Sequence, residues 1–133
     1  MKYVLLSILV ILASCSYSTF DEEWLGEVQL DKLTLSVSEA GSKEQNIELQ
    51  LNDEEKETLK TWLKSFAGSH SDFNTYAPSV MLDGETWRVN FMEKRTVISY
   101  RKGNDPKEEW KQYSRPETAE DQHIKIRFKQ LRR

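Results

Sequence analysis

The chain is poor in the residues on which much protein chemistry depends. It has one cysteine, Cys15, and two histidines, His70 and His123, in 133 residues. A single thiol forms no disulfide within the chain, so the fold must stand on packing alone. A metal centre needs several converging ligands, and two histidines far apart in sequence do not point to one. There is no Gly-rich phosphate loop, no dinucleotide fingerprint and no Gly-x-Ser-x-Gly elbow. No cofactor or metal is therefore expected. A net charge of −3 argues against a nucleic-acid partner. Long hydrophobic runs are missing too. The apolar stretch Val4–Ile11 is well short of the roughly 20 residues that span a bilayer as a helix.

That stretch has its own logic. One cation, Lys2, precedes it, and Leu12-Ala13-Ser14-Cys15 follows it. A basic start, a short apolar centre and small residues before a cut are the marks of a secretory signal. The end of the segment resembles the lipobox of bacterial lipoproteins, in which an aliphatic residue and two small ones precede the lipidated cysteine. The resemblance covers Met1 to Cys15 only. It implies cleavage between Ser14 and Cys15, a diacylglyceryl group on the Cys15 sulfur, and a further acyl chain on the new amino group. Each buried methylene adds about 0.8 kcal/mol of membrane affinity, and two or three chains hold a protein durably where one does not. Ser16, in the position where aspartate would favour the inner membrane, favours the outer one facing the periplasm. Asp21-Glu22-Glu23 loosely resembles the surface-export signals of some lipoproteins, so display at the cell surface is the second destination. The expected organisation is a signal peptide over 1–14, a tether over 15–23 and one domain over 24–133.

The domain is long enough to bury a core without staples. Val28 and Leu30 alternate, and Leu33, Leu35 and Val37 alternate in the opposite parity, which predicts a bulged strand or two short ones. Ile47, Leu49 and Leu51 alternate again after a turn at Glu39-Ala40-Gly41-Ser42. Residues 52–67 carry the clearest helix. Asn52 and Glu55 have capping-box spacing, Asp53, Glu54 and Glu55 suit the positive end of the dipole, and Leu59, Trp62, Leu63 and Phe66 form one apolar stripe. Gly68 is placed to end it. Asp83-Gly84 between two strand-like runs signals a hairpin whose turn positions take positive φ. Trp87, Val89 and Phe91 then share a face opposite Arg88 and Asn90. Thr96 to Tyr100 is another strand, and Glu109 to Tyr113 a short edge strand. Two readings of the C-terminus stay open. Ser114-Arg115-Pro116-Glu117 resembles a capped start to a helix with Ile124, Phe128 and Leu131 on one side, while Ile124, Ile126 and Phe128 alternate as in a strand; the helix is preferred. The fold class is α+β: an antiparallel sheet, made of an N-terminal hairpin and a C-terminal meander, packed by one central amphipathic helix.

Candidate functional residues are few. Trp62 and Trp87 belong to apolar stripes and are expected in the core. Trp24 and Trp110 lie in charged surroundings, where tryptophan serves interfaces. His70, Asp72, Phe73 and Tyr76 share the polar loop Ser69–Pro78, and such loops often carry recognition. Ser69, His70, Ser71 and Asp72 supply the residue types of a hydrolase, but neighbours on one loop seldom converge as nucleophile, base and orienting group. Lys125, Arg127, Lys129, Arg132 and Arg133 make a basic end, expected as a solvated face and frayed terminus. The expectation is a non-enzymatic envelope lipoprotein, held to the membrane through Cys15, that binds a protein or cell-wall partner in the manner of an immunity or inhibitor protein. Its partner-binding candidates are His70, Asp72, Phe73, Tyr76 and Trp110. An accessory subunit of an envelope assembly, and a small hydrolase using His70 and Asp72, are the alternatives.

Overall fold

The computed structural model describes residues 20, 22–26, 28–38, 43–72, 74, 79–102 and 107–131. Cys15, Phe73 and Tyr76 lie outside them. No helix among the described residues is long and apolar enough to cross a membrane.

The fold is α+β, with the expected hairpin, meander, central helix and C-terminal helix. A 3-10 turn, Glu22–Gly26, leads into strands β1 (Leu33–Val37) and β2 (Gln45–Leu49). Helix α1 (Asp53–Lys64) follows, then β3 (His70–Ser71), β4 (Val80–Asp83), β5 (Trp87–Phe91), β6 (Arg95–Tyr100), β7 (Lys111–Pro116) and helix α2 (Ala119–Gln130). All strands join one seven-stranded antiparallel sheet in the order β2-β1-β4-β5-β6-β7-β3.

Helix α1 starts as its capping spacing predicts. Asn52 Oδ1 accepts the Glu55 N–H at 2.8 Å, and Glu55 Oε2 accepts the Asn52 N–H at 2.9 Å. Leu59, Trp62 and Leu63 are buried along its inner side, and Phe66 just beyond it. Gly68 takes φ +81° as the chain leaves the helix, a conformation that costs glycine little.

Alternation sorts the sheet into two faces. Leu33, Leu35, Leu82, Val89, Ile98 and Tyr113 are buried on the face under the helices. The densest part is aromatic. Trp24 stacks on Tyr100 with centroids 4.6 Å apart, Trp62 stacks on Phe91 at 5.7 Å, and Phe20 meets Tyr100 and Tyr113 edge-on at 5.6 and 5.8 Å. Each such side chain contributes about 1.5–3 kcal/mol by leaving water, and each favourable ring pair about 0.5–1.5 kcal/mol more.

Six expectations change. Trp24 is buried, because the 3-10 turn lays its ring on Tyr100. The expected tether over 15–23 is shorter, since Phe20 is already part of the core. The change of phase near Asp31 is no bulge: residues 28–32 are not strand, and β1 begins at Leu33. The helix cap near the C-terminus is Thr118 with Asp121, four residues beyond the expected Ser114 and Glu117, while Ser114, Arg115 and Pro116 belong to β7. That strand is internal, since β3 covers its outer side. Finally, Gly84 pairs with Trp87 through its N–H, leaving Glu85 and Thr86 as the turn, with Glu85 at φ 70°. Glycine is required at 84 for another reason: a Cβ there would lie 2.1 Å from Trp87 Nε1.

Candidate binding face

The sheet face turned away from the helices carries the polar half of the alternation. Arg88 on β5 stands opposite Ser99 on β6, which stands opposite Gln112 on β7. Continuing that register one step past each strand end sets Trp110 opposite Arg101, whose N–H donates to Thr86 O at 2.9 Å. The Trp110 ring packs against two cations. The Arg88 guanidinium is 4.8 Å and the Arg101 guanidinium 5.4 Å from its centroid. The ring faces water, with Trp110 39% exposed. Asp83 holds Arg88 from the other side at 3.2 Å.

Three polar atoms on or beside this face are buried without a hydrogen bond among the described residues: Arg88 Nε, Arg101 Nε and Asn90 Oδ1. Buried polar atoms are paired in the great majority of cases. Two guanidinium edges beside an exposed indole can accept a carboxylate or phosphate in forked geometry and an apolar group against the ring.

The loop candidates reach the same face by a different route. His70 on β3 stands opposite Ser114, and the Asp72 N–H donates to Gln112 O at 2.9 Å, extending the pairing by one residue. Alternation puts His70, Asp72 and Trp110 on one side of the sheet. Their surroundings differ. His70 is exposed, whereas Asp72 is 7% exposed and its Oδ1 accepts the Asn74 N–H at 2.9 Å. Gln112 Nε2 donates to Asn74 O at 2.7 Å, which ties the loop's first turn to β7. The Asp72 carboxylate thus shapes a turn. Among the described residues no group of three or more His, Cys, Asp and Glu side chains is placed to hold a metal.

Sequence reasoning found Trp110 but passed over Arg88, Arg101 and Asn90 as functional groups. The alternation of Arg88 and Asn90 with Trp87, Val89 and Phe91 was the available signal. A second polar cluster lies under the helices. Asp121, fully buried, accepts from Trp62 Nε1 at 2.9 Å, Thr96 Oγ1 at 2.7 Å and the Arg115 guanidinium. Arg115 also donates to Ser65 O and lies 3.9 Å over the Phe66 ring. Burial pushes the Asp121 carboxyl up, but hydrogen bonds from the Thr118 N–H, Thr96, Arg115 and Trp62 outweigh it and hold the group below its ordinary value. This cluster ties the helices to the sheet and serves the fold, with Arg115 Nε alone in it lacking a hydrogen bond among the described residues.

An open cleft of about 480 Å³ lies at the far end of the sheet, between Phe91, Met92 and Glu93 and the Gln122, Lys125 and Ile126 side of α2. Ile126 is 50% exposed at its lip. No protein family, curated protein or solved structure matches the chain.

Proposed function

We propose that this chain is a lipid-anchored protein of the bacterial envelope, held through Cys15, that binds a protein or cell-wall partner with the sheet face around Trp110. The observation that carries the binding role is the exposed Trp110 ring packed with Arg88 and Arg101, whose Nε atoms lack hydrogen bonds among the described residues. Tryptophan and arginine dominate the residues that supply binding energy at interfaces, and unpaired buried donors gain most from a partner that completes them. His70 is the accessory contact on the same face. The anchor rests on the Leu12-Ala13-Ser14-Cys15 signature, and Ser16 favours the outer membrane facing the periplasm.

The core position of Phe20 sharpens the arrangement. Five residue steps separate Cys15 from Phe20, a reach of at most about 18 Å. A domain of this size has a radius of gyration near 13 Å, so the tether is shorter than the body is wide. The domain sits against the bilayer and cannot roam from it.

Two measurements test the reading. Mass spectrometry of the native product should find a terminus at Cys15 bearing acyl chains; a terminus elsewhere, or one without lipid, removes the anchor. Crosslinking in intact cells followed by detergent extraction should yield one defined complex with the parent chain and at least tenfold less with Trp110→Ala. Equal recovery from both would remove the Trp110 face from the function.

A further inference from the structure

The two edges of the sheet are not alike. β3 is only two residues long, while β2 has five and neighbours β1 alone. Natural sheets blunt such edges with proline, lysine, bulges or very short strands. β2, reading Gln45-Asn46-Ile47-Glu48-Leu49, has none of these.

The hydrogen-bond register says which groups of β2 point outward. Ser38 N–H donates to Ser79 O at 2.7 Å, so Ser38 directs its backbone at β4, and so do Ser36 and Thr34 on the same parity. Leu33, Leu35 and Val37 then bond toward β2, where they face Leu49, Ile47 and Gln45. The outward groups of β2 belong to Asn46 and Glu48. Among the described residues no strand pairs with that side of β2.

We propose that β2 pairs with β2 of a second copy of this chain, antiparallel and centred on Ile47. In that register Asn46 lies opposite Glu48 of the partner subunit, and the two hydrogen-bonded pairs exchange about four backbone bonds. Ile47 lies opposite its own copy in the close, non-bonded position. Side chains decide among registers. Ser36 Oγ donates to Asn46 Oδ1 at 2.6 Å, which leaves the Asn46 amide N–H₂ to donate to the facing Glu48 carboxylate. Shifting the centre one residue either way sets Glu44 against Glu48, or Glu48 against itself, and like charges directly opposite are destabilising. Only the Ile47 register pairs a donor with each carboxylate and an aliphatic side chain with its equal. The two-fold axis of such a pair runs perpendicular to the sheet, so both copies carry their helices and Phe20 on one side. The pairing rests on the edge alone; with the anchor proposed above, it lets both tethers enter one bilayer.

Ile47→Cys tests the register in the full chain under mild oxidation in native membranes. Across the proposed axis the two Cα atoms would be about 4.5 Å apart, inside the roughly 4.4–6.8 Å range of disulfides. Asn46→Cys would place its pair about 8 Å apart, counting two residues of offset and one strand spacing, beyond that range. The expected result is a disulfide dimer for Ile47→Cys, at least fivefold less for Asn46→Cys, and loss of the Ile47→Cys dimer when Glu48→Pro is added. Proline at 48 removes an outward N–H and leaves the bonds to β1 intact. Absence of the Ile47→Cys dimer, or equal dimer at both positions, overturns the pairing. The parent chain run alongside separates this from the anchor, because an unlipidated Cys15 would itself crosslink.

Discussion

Trp62 and Asp121, 59 positions apart, meet in a 2.9 Å hydrogen bond from indole Nε1 to carboxylate Oδ1, and around it the helices are fixed to the sheet. Asp121 is at once the third residue of α2, returning the capping bond to the Thr118 N–H at 3.0 Å, and the acceptor for Thr96 of β6 and Arg115 of β7. The position of α2 is therefore set by polar bonds as well as by Ile124 and Phe128. Replacing Asp121 by alanine leaves the mostly buried Arg115 without its counter-charge and Trp62 and Thr96 without an acceptor. Breaking a buried pair from one side costs about 3–5 kcal/mol. Asp121→Asn retains one acceptor and should cost less. Urea unfolding followed by tryptophan fluorescence should rank parent above asparagine above alanine; an alanine variant as stable as the parent would refute this role.

The same carboxylate gives stability a pH dependence. Its folded value lies below the ordinary 3.8. A depressed folded value means that the ionised group favours the native state. The contribution is complete above the unfolded value and is lost as pH falls through the folded one. Between pH 7 and 5 Asp121 contributes no slope. Below about pH 4 the parent should lose stability more steeply than Asp121→Asn, so the gap between them closes with acid. Urea midpoints at pH 7, 5, 4 and 3 measure it, and a gap that stays constant to pH 3 would contradict the assignment.

Gly84 and Gly26 make opposite cases. A Cβ on Gly84 would strike the Trp87 ring, whose Nε1 is already held by Gln29 O at 3.1 Å. The ring cannot retreat without losing that bond. Gly84→Ala should cost about 1–3 kcal/mol, as overpacking does. A Cβ on Gly26 meets nothing within 4 Å, and Gly26→Ala should stay within about 0.5 kcal/mol of the parent, as surface changes do. Thermal melts of the two variants should differ by several degrees.

These cases show where local sequence carries information. Helix α1 was legible because its cap, acidic first turn and apolar stripe all lie within one window. Trp62 and Trp87 were legible as core for the same reason. Trp24 was not, because nothing near it announces the Tyr100 ring on which it stacks. Thr118 and Asp121 are masked by a similar signature four residues earlier, since Pro116 looks like a helix start but ends a strand. The candidate face is half legible. Trp110 stood out in its charged surroundings, but its pairing with Arg101 depends on how the chain returns from β6 to β7, which no short pattern encodes.

Phe20 offers a direct measure of where the folded body begins. It is 4% exposed and touches Trp24, Phe66, Tyr100 and Tyr113. A residue in a solvated tether could be replaced at no cost. Phe20→Ala should instead cost about 3–5 kcal/mol, the range for emptying a buried phenylalanine site. Phe20→Leu should recover much of that loss. Unchanged urea midpoints for both variants would return residues up to 23 to the tether and lengthen its reach.

The Trp110 face predicts a separation between stability and binding. An exposed cation–π contact contributes about 0.5–1 kcal/mol, so Trp110→Ala and Arg88→Ala should each move the unfolding free energy by no more than about that. A double-mutant cycle isolates the pair itself and should return a coupling of the same size. Arg88 has Asp83 as a second partner at 3.2 Å; Arg88→Lys keeps that charge but loses the planar fork, and so separates charge from geometry. Loss of partner recovery with Arg88→Lys, in a protein whose unfolding midpoint is unchanged, would mean that the face reads a planar, two-pronged group. Retained recovery would mean that positive charge beside the indole is enough. A large fall in stability for Trp110→Ala would make the ring part of the fold and remove it from the binding surface.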